Sequence, residues 1–231
     1  KAHGPSVSAM GFRVRDAKAA FQHAIAQGAI PFSETHPIYN LPAIQGVGGS
    51  VIYFIDYQNQ TASYADQFAM TPTARTSGHG LTYIDHVTHN LHRGNMKTWA
   101  DFYSSIFNFY EVRYFDIEGK LTGLKSQAMT SPCGNIRIPL NESSDDHSQI
   151  EEFLRDFNGE GIQHIALGTN DIYQSVVSLK QKQINFLDTL DTYYDLLDKR
   201  LPNHGENTSK LRELRILLDG ETKTSKRLLL Q

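Results

Sequence analysis

The segment Leu81-Thr-Tyr-Ile-Asp-His-Val-Thr-His-Asn90 has the pattern of a β-strand. Side chains alternate between the two faces of a strand, so Ile84, His86, Thr88 and Asn90 are predicted to share one face. Asp85 and His89 then belong to the opposite face. An amphipathic helix is predicted to follow from about Asn95, because large apolar residues recur at helical spacing: Trp99, Phe102, Tyr103, Ile106 and Phe107.

Two other segments repeat this strand and helix pattern. In chain order, the first repeat has the strand Val7–Val14, followed by a helix that begins at Asp16 and ends at Gly28. The segment that contains Leu81–Asn90 is the second repeat. The third repeat has the strand Gly161–Gly168, followed by a helix that begins at Asp171. Further strands are expected at residues 49–56 and 136–140. A separate amphipathic helix is predicted from the spacing of four apolar residues, Ile150, Phe153, Leu154 and Phe157.

After the third helix, the sequence predicts an irregular segment over residues 188–202, a short helix near 211–218 and a strand that starts at 227. Strand–helix–strand–strand–strand modules in tandem predict an α+β fold. In such a fold the sheets curl into open barrels around a central space, and the helices lie outside. A space lined by strands is a natural ligand site.

A connector is predicted at residues 71–80, which collect Pro, Gly, Ser and Thr and almost no large apolar side chain. We therefore predict two domains, residues 1–76 and residues 77–231. The length of 231 residues agrees with one large or two modest domains.

Composition excludes several classes of function. The 22 basic and 25 acidic residues give a net charge of −3, and like charges do not run together, so nucleic acid and polybasic membrane binding have no electrostatic basis. No apolar stretch reaches the ~18 residues needed to cross a bilayer. The single cysteine, Cys133, cannot form an intrachain disulfide, and we expect a cytoplasmic protein.

Among the ten histidines, His86 and His164 occupy equivalent places in the first strands of two repeats, whereas the first repeat has Ala9 there. A lone histidine on a strand is more often a hydrogen-bonded core residue than a metal ligand, but matched positions favour a shared site. The other histidines lack such a match and are interpreted as surface or supporting groups: His3, His23, His36, His79, His89, His92, His147 and His204.

Two histidines do not complete a site. A non-haem iron centre needs a third, anionic ligand, which gives two histidines and one carboxylate on one face of the metal. A pairing of the histidines with Cys133, for zinc or for thiol catalysis, stays open but has no local motif to support it.

Six motifs in order resemble the 4-hydroxyphenylpyruvate dioxygenase family over nearly the whole chain. They are Ile84-Asp-His-Val-Thr-His-Asn90, Pro139-Leu-Asn-Glu142, Ser148-Gln-Ile150, Gly161-Ile-Gln-His-Ile-Ala166, Phe186-Leu-Asp-Thr189 with Asp191-Thr-Tyr-Tyr-Asp195, and Leu228-Leu-Leu-Gln231. The resemblance implies the vicinal-oxygen-chelate, or glyoxalase-like, fold of four βαβββ modules, of which the first would be missing. Residues 1–76 would then be part of the non-catalytic N-terminal domain, and residues 77–231 the catalytic iron-binding domain without its C-terminal end.

The resemblance also implies the roles of individual residues. His86 and His164 fall on the iron-binding histidines. The polar residues that line the family's substrate pocket correspond to Ser126, Asn141, Gln149, Gln163 and Gln231 in this sequence. Gln163 is the weakest of these assignments, because the alternation of a strand turns it away from the face of His164.

In the family, a glutamate that completes the iron site lies on a strand after the position of Gln231, and a C-terminal helix closes the pocket. The chain as given is therefore expected to bind iron weakly and to turn over poorly. We treat both of its ends as cuts.

The implied activity is an Fe(II)-dependent conversion of 4-hydroxyphenylpyruvate and O2 to homogentisate and CO2 in tyrosine and phenylalanine catabolism. The 2-oxo acid would supply electrons through its own oxidative decarboxylation, and the enzyme is expected to be a homo-oligomer. Three alternatives remain: a hydroxymandelate synthase, which oxidises the side chain of the same substrate; an extradiol catechol dioxygenase; and a metal-free binding module of the same fold.

Overall fold

The computed structural model describes residues 3–33, 41–56, 78–118, 123–220 and 228–231, without the side chains of 114–118 and 228. The chain forms two compact units, each discontinuous in sequence. The first comprises Lys1–Thr73 and Ile84–Ala166, and the second Ala74–Tyr83 and Leu167–Gln231. The predicted domain boundary after residue 76 lies outside the described residues and stays a prediction.

The first repeat forms a three-stranded sheet with one helix. Its elements are β1 (Ala9–Val14), α1 (Ala17–Ala26), β2 (Ala43–Gln45) and β3 (Val51–Asp56). The strand order is β1-β3-β2, with β1 parallel and β2 antiparallel to β3. Helix α1 begins as predicted, because the Asp16 carboxylate accepts a hydrogen bond of 2.9 Å from the backbone N–H of Ala19.

The second repeat is a complete βαβββ module. It consists of β4 (Leu81–Leu91), α2 (Met96–Phe107), β5 (Tyr110–Glu118), β6 (Gly123–Thr130) and β7 (Arg137–Ser143). Helix α3 (Gln149–Asp156) leads to β8 (Gly161–Thr169), and the strand order is β5-β6-β7-β4-β8. The predicted α+β class and the module order are confirmed, although the sequence did not locate the β5–β6 hairpin.

Helix α2 begins where predicted, but its first N–H groups are not capped by a side chain next to them in the sequence, as they are in α1. The side chain of Asn95 does not cap the helix and instead donates a 2.7 Å hydrogen bond to Glu160. The buried carboxylate of Glu142, from β7, accepts from the backbone N–H groups of Gly94 at 3.1 Å and Met96 at 2.9 Å. A negative charge at this end also interacts favourably with the helix dipole.

The third repeat continues from β8 in the second unit. Its elements are α4 (Ile172–Gln181), α5 (Asp191–Asp195), α6 (Leu197–Arg200), α7 (Thr208–Leu214), β9 (Leu218–Gly220) and β10 (Leu228–Leu230). Asp171 caps α4 by accepting from Gln174 at 3.0 Å. The prediction of an irregular segment over 188–202 was wrong, because α5 and α6 form there and bury Tyr194 and Leu197 in the core. The predicted strand start at 227 lies outside the described residues.

Each unit has its own buried apolar cluster. In the first, the cluster joins β1 to α2, where the rings of Phe12 and Phe107 meet edge to face with centroids 4.9 Å apart. In the second, Val176 of α4 packs in a cluster with Leu197, Leu211 and Leu218. Of the helices that the structure describes, none is both long and apolar enough to cross a membrane.

Candidate functional site

The two histidines that the sequence singled out meet in the structure. Strands β4 and β8 are neighbours in the sheet, and Nε2 of His86 lies 3.3 Å from Nε2 of His164. Their ring centroids are 5.3 Å apart with the planes at 76°. The prediction that the two imidazoles approach one another is confirmed.

The other nitrogen of each ring is held by the side chain of the preceding residue. Nδ1 of His86 donates to Oδ2 of Asp85 at 2.8 Å, and Nδ1 of His164 donates to Oε1 of Gln163. A neutral imidazole carries one N–H group, so these contacts leave both Nε2 atoms as acceptors. Two lone pairs that face each other are the arrangement that a shared cation would stabilise.

The spacing of the two nitrogens fits a metal ion. Two nitrogens that each lie about 2.1 Å from a metal, at a right angle, are separated by about 3 Å. The observed separation of 3.3 Å is close to that value. The donors therefore fit two adjacent positions of a metal site.

Electrostatics also favour a neutral ring at His164. Burial, and to a lesser extent the charge of neighbouring His86, lowers the pKa of His164. A neutral ring is the form that binds a metal. The hydroxyl of Thr88, on the same face of β4, lies 3.1 Å from Nε2 of His164 and can donate to its lone pair.

Gln163 does not behave as the strand pattern predicts. Alternation turns it away from the face of His164, but its flexible side chain folds back to the ring along β8, which is the last strand of the sheet. Its observed contact is with the imidazole.

Two of the predicted pocket residues form a row on the sheet. Ser126 of β6 is the cross-strand partner of Asn141 of β7, which in turn pairs with Asn90 of β4. Cross-strand partners point to the same face of a sheet. Ser126 and Asn141 therefore share the face of Asn90, which alternation also assigns to His86 and Thr88.

The remaining two predicted pocket residues are Gln149 and Gln231. Gln149 is the exposed first residue of α3. Gln231 belongs to the second unit, where its backbone pairs with Leu217 through hydrogen bonds of 2.6 and 3.0 Å.

Sequence reasoning missed Asp85 and Arg137. The guanidinium of Arg137, at the start of β7, donates to Oδ1 of Asp85 at 2.8 Å. Asp85 could have been suspected, since it precedes His86 in the strand. Arg137 could not, because it approaches the site only through the pairing of β7 with β4.

A cavity of about 280 Å³ opens beside this group in the first unit. Its walls include Asp85, His86 and Arg137 together with apolar side chains such as Phe12 and Ile138. None of the five predicted pocket residues is among the residues that line it.

His89 points to the opposite face of β4, as predicted. It is fully buried and lies with Nε2 2.7 Å from the hydroxyl of Tyr103 on α2. Burial lowers the pKa of His89 to about 4. His89 is therefore not a surface group, and neither is His204, which is buried and bonds Asp198 at 2.8 Å. His36 lies outside the described residues.

Other candidate ligands do not assemble. Cys133 is exposed, and its sulfur lies 3.3 Å from the hydroxyl of Ser131. Within the described part of the chain, no three His, Cys, Asp or Glu side chains come together in a way that could hold a metal. The histidine pair is thus a partial site.

Comparison with known proteins defines the class first. Residues 83–197, which carry both histidines, match the Glyoxalase/Bleomycin resistance protein/Dioxygenase superfamily. Residues 1–69 match the model "Hydroxyphenylpyruvate dioxygenase, HPPD, N-terminal".

Individual proteins of known name are similar to nearly the whole chain. The chain is 57% identical, over 99% of its length and 66% of the relative's, to 4-hydroxyphenylpyruvate dioxygenase of Legionella pneumophila (strain Corby). It is 52% identical to the protein of the same name from Pseudomonas aeruginosa, over 94% of this chain and 62% of that one. The chain belongs to the 4-hydroxyphenylpyruvate dioxygenase family, and it spans about two thirds or less of the length of these curated relatives.

A solved structure agrees with the fold. A triple mutant of 4-hydroxymandelate synthase from Streptomyces coelicolor matches with a TM-score of 0.79 and 26% identity. The match covers 95% of this chain and 63% of that one.

Proposed function

We propose that the protein is an Fe(II)-dependent dioxygenase that converts 4-hydroxyphenylpyruvate and O2 to homogentisate and CO2. The observation that carries the proposal is the approach of Nε2 of His86 to Nε2 of His164 on adjacent strands, in a chain of this family. Both nitrogens are free of protons when Nδ1 donates, which is the state that a ferrous ion requires.

His86 and His164 would hold the metal, and a carboxylate from outside the described residues would be the third ligand. Asp85 is unsuited to that role, because both of its oxygens are already bonded, one to Arg137 and one to His86. When bound, ferrous iron supplies the sites at which a 2-oxo acid and dioxygen are brought together, as in enzymes with two histidines and one carboxylate.

The protein's own contribution is orientation of the substrate. Ser126 and Asn141 have uncharged polar side chains, and they lie on the same face of the sheet as Asn90. They can hydrogen-bond a phenol or carboxylate without competing as strong metal ligands. Gln149 and Gln231 are included in the pocket by resemblance, whereas Gln163 orients His164 through its contact with Nδ1.

The wider assignments follow from the same proposal. Residues 1–76 would belong to a non-catalytic N-terminal domain. Residues 77–231 would belong to the catalytic domain. We further propose a cytoplasmic homo-oligomer that acts on a small aromatic 2-oxo acid.

The test is to supply the full-length protein with Fe(II), 4-hydroxyphenylpyruvate and O2 and to follow oxygen uptake and product mass. Homogentisate with one CO2 released per O2 consumed is the expected result. Failure to consume O2 with this substrate, together with turnover of a catechol, would replace the proposal with an extradiol reaction.

One alternative has a specific observation in its favour. The structural match to 4-hydroxymandelate synthase supports an enzyme that uses the same framework to form another product. The same experiment separates the two, because 4-hydroxymandelate and homogentisate differ in where the oxygen is attached, which their fragmentation by mass spectrometry reports.

A further inference from the structure

We propose that Asp85, held by Arg137, is the positioning residue that fixes the tautomer and orientation of His86. This inference rests on the proposed function, because it assigns His86 a metal to bind. It concerns an ion pair on the strand surface beside the histidine rather than a metal ligand.

A continuous chain of contacts supports the role. Arg137 Nη1 lies 2.8 Å from Asp85 Oδ1, and Asp85 Oδ2 lies 2.8 Å from His86 Nδ1. The two oxygens of one carboxylate therefore bind one partner each. A carboxylate cannot donate when ionised, so the proton between Asp85 and His86 must reside on Nδ1.

The strands determine the position of Arg137. In the parallel pairing of β4 with β7, His89 lies opposite Leu140. Arg137 is the first residue of β7, three positions before Leu140, and it pairs with Thr130 of β6. The guanidinium is thus delivered by the sheet rather than by a loop.

The ion pair is poorly suited to a purely stabilising role. The side chains of Asp85 and Arg137 are 34% and 50% exposed, and ion pairs this accessible to water contribute little to folding. Hydrogen bonds to the outer nitrogen of a metal-binding histidine instead set its tautomer and raise its basicity as a ligand.

The sister strand provides an internal comparison. Gln163 stands directly before His164 as Asp85 stands before His86, and it accepts from the same ring nitrogen. Its amide is neutral, whereas Asp85 carries a charge. The same ring nitrogen of the two histidines is therefore held by a carboxylate at His86 and by an amide at His164.

The first measurement uses metal-free protein at pH 8 and long-range proton–nitrogen NMR of the histidine rings. His86 is expected to carry its proton on Nδ1, and Asp85→Ala should transfer that proton to Nε2. Asp85→Asn, whose amide oxygen still accepts, should largely keep the Nδ1 proton. Arg137→Gln should give a mixture of the two tautomers.

The second measurement is binding of Co(II) as a spectroscopic substitute for Fe(II). Loss of an outer partner of a metal-binding histidine typically weakens metal affinity by about 10- to 100-fold. We expect that loss for Asp85→Ala and smaller losses for Asp85→Asn and Arg137→Gln. Asp101→Ala is the matched control, since Asp101 forms an exposed ion pair with Lys97 in the same unit.

The inference is overturned when Asp85→Ala and Arg137→Gln both keep the Nδ1 proton on His86 and bind Co(II) within twofold of the parent protein. Should the parent protein bind neither Co(II) nor Fe(II), the proposed function fails, and the NMR measurement alone still decides whether Asp85 positions the ring.

Discussion

Nε2 of His86 and Nε2 of His164 lie 3.3 Å apart although 78 residues separate them in the sequence. Strands β4 and β8, which carry them, begin equivalent modules and lie side by side in one sheet. Because the module is repeated, the same strand position occurs twice, and the histidines at these two positions form a pair.

Replacement of either histidine should abolish metal binding. We expect His86→Ala and His164→Ala in the full-length protein to lose stoichiometric Fe(II), because one imidazole cannot provide two adjacent donors. Metal analysis after gel filtration measures this. His92→Ala, at an exposed histidine, is the control, and one iron per chain retained by either site variant would disprove the metal assignment.

Asn141→Ala should affect the substrate more than the metal. The side chain lies in the row with Ser126 and Asn90 and is not part of the histidine pair. Loss of one hydrogen bond, worth about 1 kcal/mol, should raise KM for the 2-oxo acid several-fold while Co(II) affinity changes little. Equal loss of both quantities would contradict this division of roles.

Protonation of His89 should make the fold acid-sensitive. Its pKa is about 4 in the folded protein and ~6.5 when unfolded, so the unfolded chain binds more protons between these values. The free energy of unfolding should therefore fall by about 3 kcal/mol as pH drops from ~6.5 to ~4.

Urea denaturation at several pH values measures this effect. His89→Gln keeps a partner for the Tyr103 hydroxyl but cannot titrate, so its stability should depend less on pH. An unchanged pH dependence in that variant would assign the acid sensitivity to other groups.

Glu142→Ala should destabilise the first unit. The buried carboxylate accepts from the backbone of Gly94 and Met96 at the start of α2, and its loss leaves these donors unpaired at a cost of about 1–3 kcal/mol. Glu142→Gln, which keeps one acceptor oxygen, should cost less. Glu152→Ala at an exposed position is the control, and equal unfolding free energies for Glu142→Ala and Glu152→Ala would refute the capping role.

Gly48→Ala should be more destabilising than Gly28→Ala. Both glycines have positive φ, 61° and 92°, a conformation that costs other residues about 1–3 kcal/mol. A Cβ on Gly48 would also collide with the carbonyl oxygen of Glu160, whereas one on Gly28 meets nothing within 4 Å. Thermal unfolding of both variants compares the two costs, and similar shifts would mean that the backbone near Glu160 moves aside.

The repeated modules and the strand face of His86 and His164 could be predicted from the sequence alone. Both are local properties, because alternation along a strand and the apolar spacing of a helix depend on neighbours in the chain. The capping roles of Asp16 and Asp171 were predicted for the same reason, since a cap bonds a backbone group three residues away.

The distant groups that contact each site, in contrast, depend on how the strands pair in the folded protein. Glu142 rather than Asn95 caps α2, and Arg137 reaches Asp85 across the β4–β7 pairing, because strand register brings together residues about 50 positions apart. The turn of Gln163 back to His164 is also absent from the strand pattern, which fixes where a side chain leaves the backbone but not where a flexible one ends.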